Sequence, residues 1–413
     1  MTTQPAAAAD SAVADTPSPF PILRLKHGED RRLSAGHLWV FSNEVDTVAT
    51  PLNSFARGAI AQVLSSRDKF LGFAYVNPNS LIPARIMGRD PRHPPSRSLL
   101  VHRLQVALSL RERLYDQPFY RLVFGESDGL PGLVLDRYGD RVVGQIATAG
   151  MEAMKADIVS AVEKVLAPAA MVWKNDSGAR DLEGLPSYVE MAIGKNIELL
   201  EVEENGVRFK VAALTGQKTG WFFDQAANRH SFLKYVKGRK VLDVFSYVGA
   251  WGLGAARAGA SEVTCVDSSA SAISVLEETA AANGLGVNTI KGDAFDVLEK
   301  LHEERRRFDV VVIDPPAFIK RKKDIPKGEA AYRRLNQLAM QLLERDGILV
   351  SCSCSWHLEP EQLLGAINKA GRHVSRFVQI IEVGGQSPDH PLHPAIPETR
   401  YLKAFTCRVV HQE

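Results

Sequence analysis

From Tyr235 onward, apolar runs of strand length alternate with stretches of helical periodicity. The predicted strands cover residues 240–245, 262–267, 288–292, 310–314 and 347–351. This alternation is typical of right-handed βαβ units, in which helices join parallel strands. It predicts an α/β fold with a parallel, doubly wound sheet in the C-terminal half.

The region between Pro21 and Arg89 has the pattern of a small β-rich module. Residues 59–64 and 70–76 mix β-branched and aromatic side chains and are bounded by Gly, Pro and Asn. Residues 90–98 are dense in Pro and Arg, which is typical of a linker.

The segment after this linker is predicted to be α+β. Helical spacing over residues 99–114 is followed by strand-like runs at 133–136, 142–147 and 170–174, with a helical pattern at 151–165. The chain therefore divides into four predicted parts, which are residues 1–19, 20–95, 96–200 and 201–413. The first part is rich in Ala, Ser, Thr and Pro without Lys or Arg, so it is predicted to be a disordered tail rather than a signal peptide.

Composition places the 413 residues among soluble globular proteins of several domains. The formal net charge of +2 is too small to indicate nucleic-acid binding, so that inference depends on local basic clusters. All four cysteines fall in the C-terminal half without metal-ligand spacing, which favours a reducing compartment and no metal site. No apolar run approaches the roughly 18 residues of a membrane span, and a cytoplasmic protein is predicted.

Acidic residues follow successive predicted strands at one edge of the sheet. Asp243 precedes a turn that contains Gly249, and its carboxylate suits an ammonium group. Asp267 lies where such folds bind a ribose, and Asp293 lies where an adenine amino group would donate. The chain has no second phosphate-binding glycine pattern and no Walker sequence, which argues against a dinucleotide or a nucleoside triphosphate. The pattern therefore favours a cofactor with adenosine and an amino acid end. The alternatives are close strand–helix packing at the glycines and helix capping by the acids.

The next two strand ends carry candidate reactive groups. Residues Asp314-Pro315-Pro316 form a stiff turn, and Ser351-Cys352-Ser353-Cys354-Ser355 ends the fifth strand. A thiolate here would add to C6 of a pyrimidine and make C5 nucleophilic toward a methyl group. Period-two alternation puts both cysteines on one side and does not choose between them. The alternatives are two inert core cysteines and a rigid turn without chemistry.

Several motifs together resemble one family. They are Gly36-His-Leu-Trp-Val-Phe41, Glu126-Ser-Asp-Gly-Leu-Pro-Gly132, Leu214-Thr-Gly-Gln-Lys-Thr-Gly-Trp-Phe-Phe-Asp-Gln225, Phe245-Ser-Tyr-Val-Gly249, Asp314-Pro-Pro-Ala-Phe318, Ser353-Cys-Ser355, Asp389-His-Pro391 and Tyr401-Leu-Lys-Ala-Phe405. Spread over nearly the whole chain after the tail, they resemble the ribosomal RNA large subunit methyltransferase I family, which methylates cytosine C5 in 23S rRNA.

This resemblance implies a PUA domain, a central α+β domain and a Rossmann-like class I methyltransferase domain with a seven-stranded, mostly parallel sheet. It also implies S-adenosyl-L-methionine as cofactor, rRNA as substrate and Cys354 as the nucleophile. The chain departs from the family at Ala317, where Lys is frequent, and its Asp-Pro-Pro turn contains no cysteine. We therefore expect Asp314 or an ordered water to remove the C5 proton.

The expected site residues form two groups besides the catalytic pair Cys354 and Asp314. The cofactor group is Asp243, Phe245, Ser246, Gly249, Asp267, Ser268, Asp293, Ala294, Asp314 and Pro315. The RNA group is Lys218, Phe318, Lys320, Arg321 and Lys322, where cations would hold phosphates while Phe318 or Trp221 stacks a base. The basic run is equally compatible with a solvated surface.

Two other functions remain open from the sequence. One is methylation of a base amino group at the Asp-Pro-Pro turn without a nucleophile. The other is an RNA-binding assembly factor with an inactive cofactor fold. The pattern does not reveal the target nucleotide or the oligomeric form, for which a homodimer is one option.

Overall fold

The computed structural model describes residues 19–212 and 219–411, whose strands form four sheets. Most of the predicted tail, residues 1–18, and the predicted RNA contact Lys218 lie outside the described residues. Within the described ranges, no helix combines the length and the apolar character that a membrane crossing requires.

The N-terminal module is rich in β-structure, as the sequence predicts, and its strands form a five-stranded sheet. Its strand order is β1-β3-β4-β5-β2, and its pairs are antiparallel except for β1 with β3. Its elements are β1 (Ile22–Arg24), α1 (Arg31–Ser34), β2 (Trp39–Val40), β3 (Ile60–Leu64), β4 (Phe70–Val76) and β5 (Ala84–Gly88).

The central region is a second five-stranded sheet in the order β10-β9-β8-β7-β6. Its elements are α2 (Arg97–Leu114), β6 (Phe119–Phe124), β7 (Leu133–Tyr138), β8 (Arg141–Ile146), α3 (Ala149–Ala153), α4 (Lys155–Leu166), β9 (Ala170–Asn175) and β10 (Tyr188–Ile193). The single helix predicted over 151–165 is wrong, because the helix breaks at Met154. Helix α3 lies against the N-terminal module, where a Cβ on Gly150 would stand 1.9 Å from the ring of Tyr75.

A hairpin of β11 (Leu199–Glu204) and β12 (Val207–Ala212) leads into the last sheet. The boundary predicted between residues 200 and 201 falls inside β11. Side chains in β12 alternate between buried and exposed positions. Val207, Phe209 and Val211 join the apolar core that also covers one face of the C-terminal sheet.

The C-terminal sheet has seven strands in the order β15-β14-β13-β16-β17-β19-β18. The strands are β13 (Lys240–Val244), β14 (Glu262–Asp267), β15 (Asn288–Lys291), β16 (Phe308–Ile313), β17 (Leu343–Ser353), β18 (Arg376–Gly384) and β19 (Lys403–His411). The pairs of β19 with β17 and with β18 are antiparallel, and the other four pairs of this sheet are parallel. The predicted α/β class with a seven-stranded, mostly parallel sheet is confirmed.

Helices cover both faces of this sheet. They are α5 (Ala226–Phe232), α6 (Ala250–Arg257), α7 (Ala270–Ala282), α8 (Ala294–Glu303), α9 (Ile325–Gln341) and α10 (Pro360–His373). Successive residues of β13 enter different cores, Val241 on one face and Leu242 on the other. The connections change side between β13 and β16, and ligands of doubly wound sheets bind at such a point.

A buried arginine joins the central region to the loop before β19. Both terminal nitrogens of Arg111, on α2, donate to the carboxylate of Asp128, at 2.6 and 2.8 Å. One of them also donates to the carbonyl oxygen of Asp389 at 2.6 Å. The Asp389 carboxylate in turn accepts from the backbone N–H of Arg121 at 2.8 Å. The Asp-His-Pro segment is therefore fixed to the neighbouring region.

Candidate active site

The carboxyl ends of the parallel strands bring the predicted catalytic and cofactor residues to one edge of the sheet. Asp243 lies one residue before the end of β13, and Asp267 is the last residue of β14. At this edge, Asp314 and Cys354 directly follow β16 and β17, and Asp293 lies two residues after the end of β15. The strand registers therefore support the phasing that the sequence predicts.

Asp243 is the most deeply buried of these acids. Its Oδ2 accepts from the backbone N–H of Gly252 at 2.9 Å. Burial, which removes the hydration of the charged form, and the negative charge of the nearby Asp314 together raise the pKa of Asp243 to about 7, although the hydrogen bond from Gly252 opposes the shift. The Oδ1 of Asp243 and the Oγ of Ser246 are buried without a hydrogen-bond partner among the described residues. Buried polar atoms in proteins normally have a hydrogen-bond partner, and the donor groups of a cofactor are suitable partners for these two oxygen atoms.

The turn from Phe245 to Gly249 has an unusual backbone. Phe245 and Tyr247 have φ values of +65° and +50°, in the left-handed region that non-glycine residues rarely adopt. Gly249 starts α6 at φ +85°, and a Cβ there would stand 2.7 Å from Leu276. Asp267 stabilises the turn, since its Oδ2 accepts from the Tyr247 N–H at 2.8 Å. Gly249 therefore permits the close packing of this turn against Leu276 of α7.

The remaining predicted cofactor residues lie beside β14 and β15. Asp293 is the N-cap of α8, where its Oδ1 accepts from the backbone N–H of Phe295 at 2.9 Å. This is the capping role that the sequence left as an alternative, and the carboxylate is still exposed. Ser268 is exposed, whereas Ala294 is buried as the first residue of α8.

Asp314 is held between two donors from other elements. Its Oδ1 accepts from Gln225 Nε2 at 2.9 Å, and its Oδ2 accepts from Trp251 Nε1 at 3.1 Å. Burial raises the pKa of Asp314, while both hydrogen bonds oppose this shift. Gln225 and Trp251 were not predicted as Asp314 partners, because they are 89 and 63 residues away in sequence.

The two cysteines that the pattern could not separate have different surroundings. Cys352 is completely buried in the core, and burial raises the pKa of its thiol well above the ordinary value. Cys354 is half-buried, and its Sγ donates to the carbonyl oxygen of Pro315 at 3.9 Å. Cys354 therefore lies against the Asp-Pro-Pro turn at the edge of the sheet.

A hydroxyl cluster fixes the backbone around Cys354. Ser353 Oγ donates to the Tyr332 hydroxyl at 2.8 Å, and the Tyr332 hydroxyl lies 2.9 Å from Ser355 Oγ. Ser355 Oγ also accepts from the backbone N–H of Ile319 at 3.2 Å. These contacts connect the end of β17 with α9 and with the segment after the Asp-Pro-Pro turn. The hydroxyl of Tyr332 could not be placed here from the sequence pattern.

The surface beside Cys354 differs from the predicted RNA contacts. The prediction that Trp221 could stack a base is wrong, because Trp221 is buried against Phe209 and its Nε1 donates to Glu204. Phe318 is half-buried among aromatic rings, with the Tyr332 ring centroid 4.9 Å away. Lys320, Arg321 and Lys322 are exposed. Trp356, which the sequence reasoning missed, is 43% exposed two residues after Cys354.

Comparisons with known proteins agree with this arrangement. Residues 23–89 match the PUA-like domain family, and residues 179–404 match the S-adenosylmethionine-dependent methyltransferase family. The chain is 35% identical to the ribosomal RNA large subunit methyltransferase I of Photobacterium profundum, over 93% of this chain and 98% of that protein. It is 34% identical to the protein of the same name from Klebsiella pneumoniae, over 96% of this chain and all of that protein.

Solved structures with a similar fold include the methyltransferase SMU.776 complexed with SAH. That structure matches with a TM-score of 0.80 at 21% identity, over 94% of this chain and all of that one. A SAM-dependent methyltransferase from Streptococcus mutans matches with a TM-score of 0.78 at the same identity, over 94% of this chain and all of that one. These two structures support the class I methyltransferase fold.

Proposed function

The chain belongs to the ribosomal RNA large subunit methyltransferase I family, and we propose that it forms 5-methylcytidine in 23S rRNA through a covalent bond between Cys354 and cytosine C6. The coarser function, S-adenosylmethionine-dependent methylation of rRNA, follows from the family. The observation that carries the finer proposal is the contact of Cys354 Sγ with the Pro315 carbonyl, outside the core that encloses Cys352.

The proposed reaction uses Cys354 as a nucleophile and then as a leaving group. As a thiolate, its sulfur bonds to C6 and shifts electron density to C5, which then attacks a methyl group. S-adenosylmethionine, when bound, supplies that methyl group in electrophilic form. Removal of the C5 proton then breaks the bond between Cys354 and C6 and restores the aromatic ring.

Asp314 is the base that we propose for the C5 proton. It directly precedes the proline whose carbonyl contacts Cys354, so both groups lie at the same edge of the sheet. Each of its oxygens has one protein donor, and a carboxylate oxygen has a second lone pair for a proton. The raised pKa makes the Asp314 carboxylate a stronger base than an exposed one.

The cofactor residues divide into two positions in the proposed site. Asp243 Oδ1 and Ser246 Oγ, both buried and unpartnered among the described residues, would accept from the amino acid end. Asp267 would accept from a ribose hydroxyl while it holds the Tyr247 N–H. Asp293 would accept from the adenine amino group while it caps α8.

Mass spectrometry of nucleosides tests the reaction. In 23S rRNA from cells that lack this protein, one 5-methylcytidine is expected to disappear, and the purified enzyme is expected to restore it. If an N-methylated nucleoside disappears instead, the covalent mechanism is wrong and amino-group methylation at the Asp-Pro-Pro turn takes its place. If no nucleoside changes, the protein is an assembly factor rather than an enzyme.

Trp356 is the aromatic residue that we propose for stacking an RNA base, because its ring is exposed beside Cys354. Stacking of one base on an aromatic ring contributes about 1–3 kcal/mol. Trp356→Ala is therefore expected to raise the KM for RNA by about 5- to 150-fold, with little change in S-adenosylmethionine affinity.

Steady-state kinetics with an rRNA fragment and calorimetry with the cofactor measure the two effects of Trp356→Ala. Phe377→Ala is a matched control, because Phe377 is a similarly exposed aromatic residue, with 53% of its surface accessible. It lies at the start of β18, at the end of the sheet away from Cys354. An equal KM in Trp356→Ala and the wild type would exclude stacking on Trp356.

A further inference from the structure

Lys403 is a buried amine next to the proposed nucleophile. It is the first residue of β19 and pairs with Ser353 of the antiparallel strand β17, directly before Cys354. Only 5% of Lys403 is exposed. Lysine is almost never buried unless it is paired, so its position requires an explanation.

The hydrogen bonds of Lys403 fix the ammonium group but do not neutralise it. Its Nζ donates to the carbonyl oxygen of Ser355 at 2.6 Å and to that of Tyr401 at 2.8 Å. Both acceptors are uncharged backbone groups, and one belongs to the residue that follows Cys354. Over the ranges that the structure describes, no ion pair joins Lys403 to a carboxylate. A nearby anion would therefore stabilise the buried ammonium group of Lys403.

Among the residues that the structure describes, Tyr332, Tyr401, Cys352 and Lys403 are titratable groups that interact with Cys354, and the first three are neutral near pH 7. Burial raises the pKa of Tyr332, and it raises those of Tyr401 and Cys352 well above their ordinary values. Burial lowers the pKa of Lys403 to about 8, while Cys354 opposes that shift. Lys403 is therefore the cation of this group of four.

Two charged residues further influence Lys403 itself. Glu359 favours the protonated amine, and Arg400 disfavours it. Glu359 is exposed and lies before α10, and Arg400 is exposed before β19. Solvent screens both charges, and their effects on the pKa of Lys403 oppose each other. Among the groups that influence Lys403, the less exposed Cys354 is therefore the one whose ionisation the buried ammonium group would affect most.

We propose that Lys403 is a positioning residue whose ammonium group stabilises the Cys354 sulfur as a thiolate, with the thiol proton released to solvent. The role in catalysis rests on the proposed function, since a thiolate is the form that adds to cytosine C6. Lys403 itself transfers no proton and makes no bond to the substrate.

The pH dependence of alkylation tests this role without RNA. The rate at which iodoacetamide modifies Cys354 in the full-length protein follows the thiolate fraction and can be measured by mass spectrometry of its peptide. The midpoint is expected to lie about one pH unit or more higher in Lys403→Met than in the wild type, because the variant lacks the ammonium group that stabilises the thiolate. Below both midpoints, this shift makes alkylation roughly tenfold slower.

Lys403→Arg is the matched control, because it keeps a cation and hydrogen-bond donors at this position. Because arginine carries the same positive charge, the alkylation midpoint of this variant is expected to stay within about 0.3 of a pH unit of the wild-type value. A purely structural role would disturb folding in both variants but would not move the midpoint with charge. An unchanged midpoint in folded Lys403→Met would overturn the proposal.

A second measurement uses the wild-type fold and does not depend on the stability of Lys403→Met. Blocking the Cys354 sulfur with methyl methanethiosulfonate removes its negative charge, so the pKa of Lys403 is expected to fall. NMR of lysine labelled with ¹³C at Cε follows this titration. A Lys403 resonance that titrates identically before and after blocking would also overturn the proposal.

These results separate the two proposals. A coupled Lys403–Cys354 pair in an enzyme that forms no 5-methylcytidine would contradict the proposed function and leave the pair intact. An enzyme that forms 5-methylcytidine while its alkylation midpoint is independent of Lys403 would contradict only the role of the lysine.

Discussion

Replacing Cys354 with alanine is expected to abolish methyl transfer to rRNA. Without the sulfur, C6 gains no nucleophile and C5 stays too weak to attack a methyl group, so turnover falls on the order of 10⁴-fold or more. RNA containing 5-fluorocytidine should form a denaturation-resistant adduct with the wild type and none with Cys354→Ala. In the adduct, fluorine replaces the proton whose removal would release Cys354.

Cys352→Ala is the matched control for this experiment. Cys352 is on the same strand, two residues earlier, but is buried in the core, so its loss is expected to cost only about 1 kcal/mol of stability. Its turnover and adduct formation should stay within a few-fold of the wild type. Both variants should bind S-adenosylmethionine like the wild type in calorimetry. An active Cys354→Ala enzyme with normal adduct formation would refute the nucleophile assignment.

The sequence predicted the parts of the site that depend on strand periodicity. Asp243, Asp267, Asp293 and Asp314 lie at or near the ends of parallel strands, and a parallel sheet brings such ends to one edge. The alternation of strand-length apolar runs with helical stretches therefore predicted the fold class, and the acids at the strand ends indicated the edge of the sheet at which the candidate site lies. The resemblance then selected Cys354, a choice that alternation along β17 could not make.

The groups that tune the site could not be predicted because they arrive from distant segments. Gln225 and Trp251 reach Asp314 from a 3₁₀ helix and from α6, and Lys403 reaches the end of β17 through the β17–β19 pairing. No local pattern records such contacts. The burial of individual tryptophans was equally unpredictable, since the sequence pattern did not indicate that Trp221 is buried and Trp356 is exposed.

Replacing Arg111 with methionine is expected to destabilise the protein by about 3–5 kcal/mol. Arg111 is fully buried, and methionine of similar length leaves the Asp128 carboxylate in the interior without its cation. The change also removes the donor to the Asp389 carbonyl, which fixes the loop that leads to Tyr401 and Lys403. Urea denaturation, followed by tryptophan fluorescence, measures the loss in stability.

Two further variants separate the lost ion pair from general effects of the substitution. Arg113→Met changes an exposed arginine on the same helix and is expected to alter stability by less than about 0.5 kcal/mol. Adding Asp128→Asn to Arg111→Met removes the uncompensated charge, so the double variant should recover part of the loss. If Arg111→Met is as stable as Arg113→Met, the buried pair does not stabilise the junction. The loop carrying Asp389 must then be held by its other contacts, among them the bond from the Arg121 N–H to the Asp389 carboxylate.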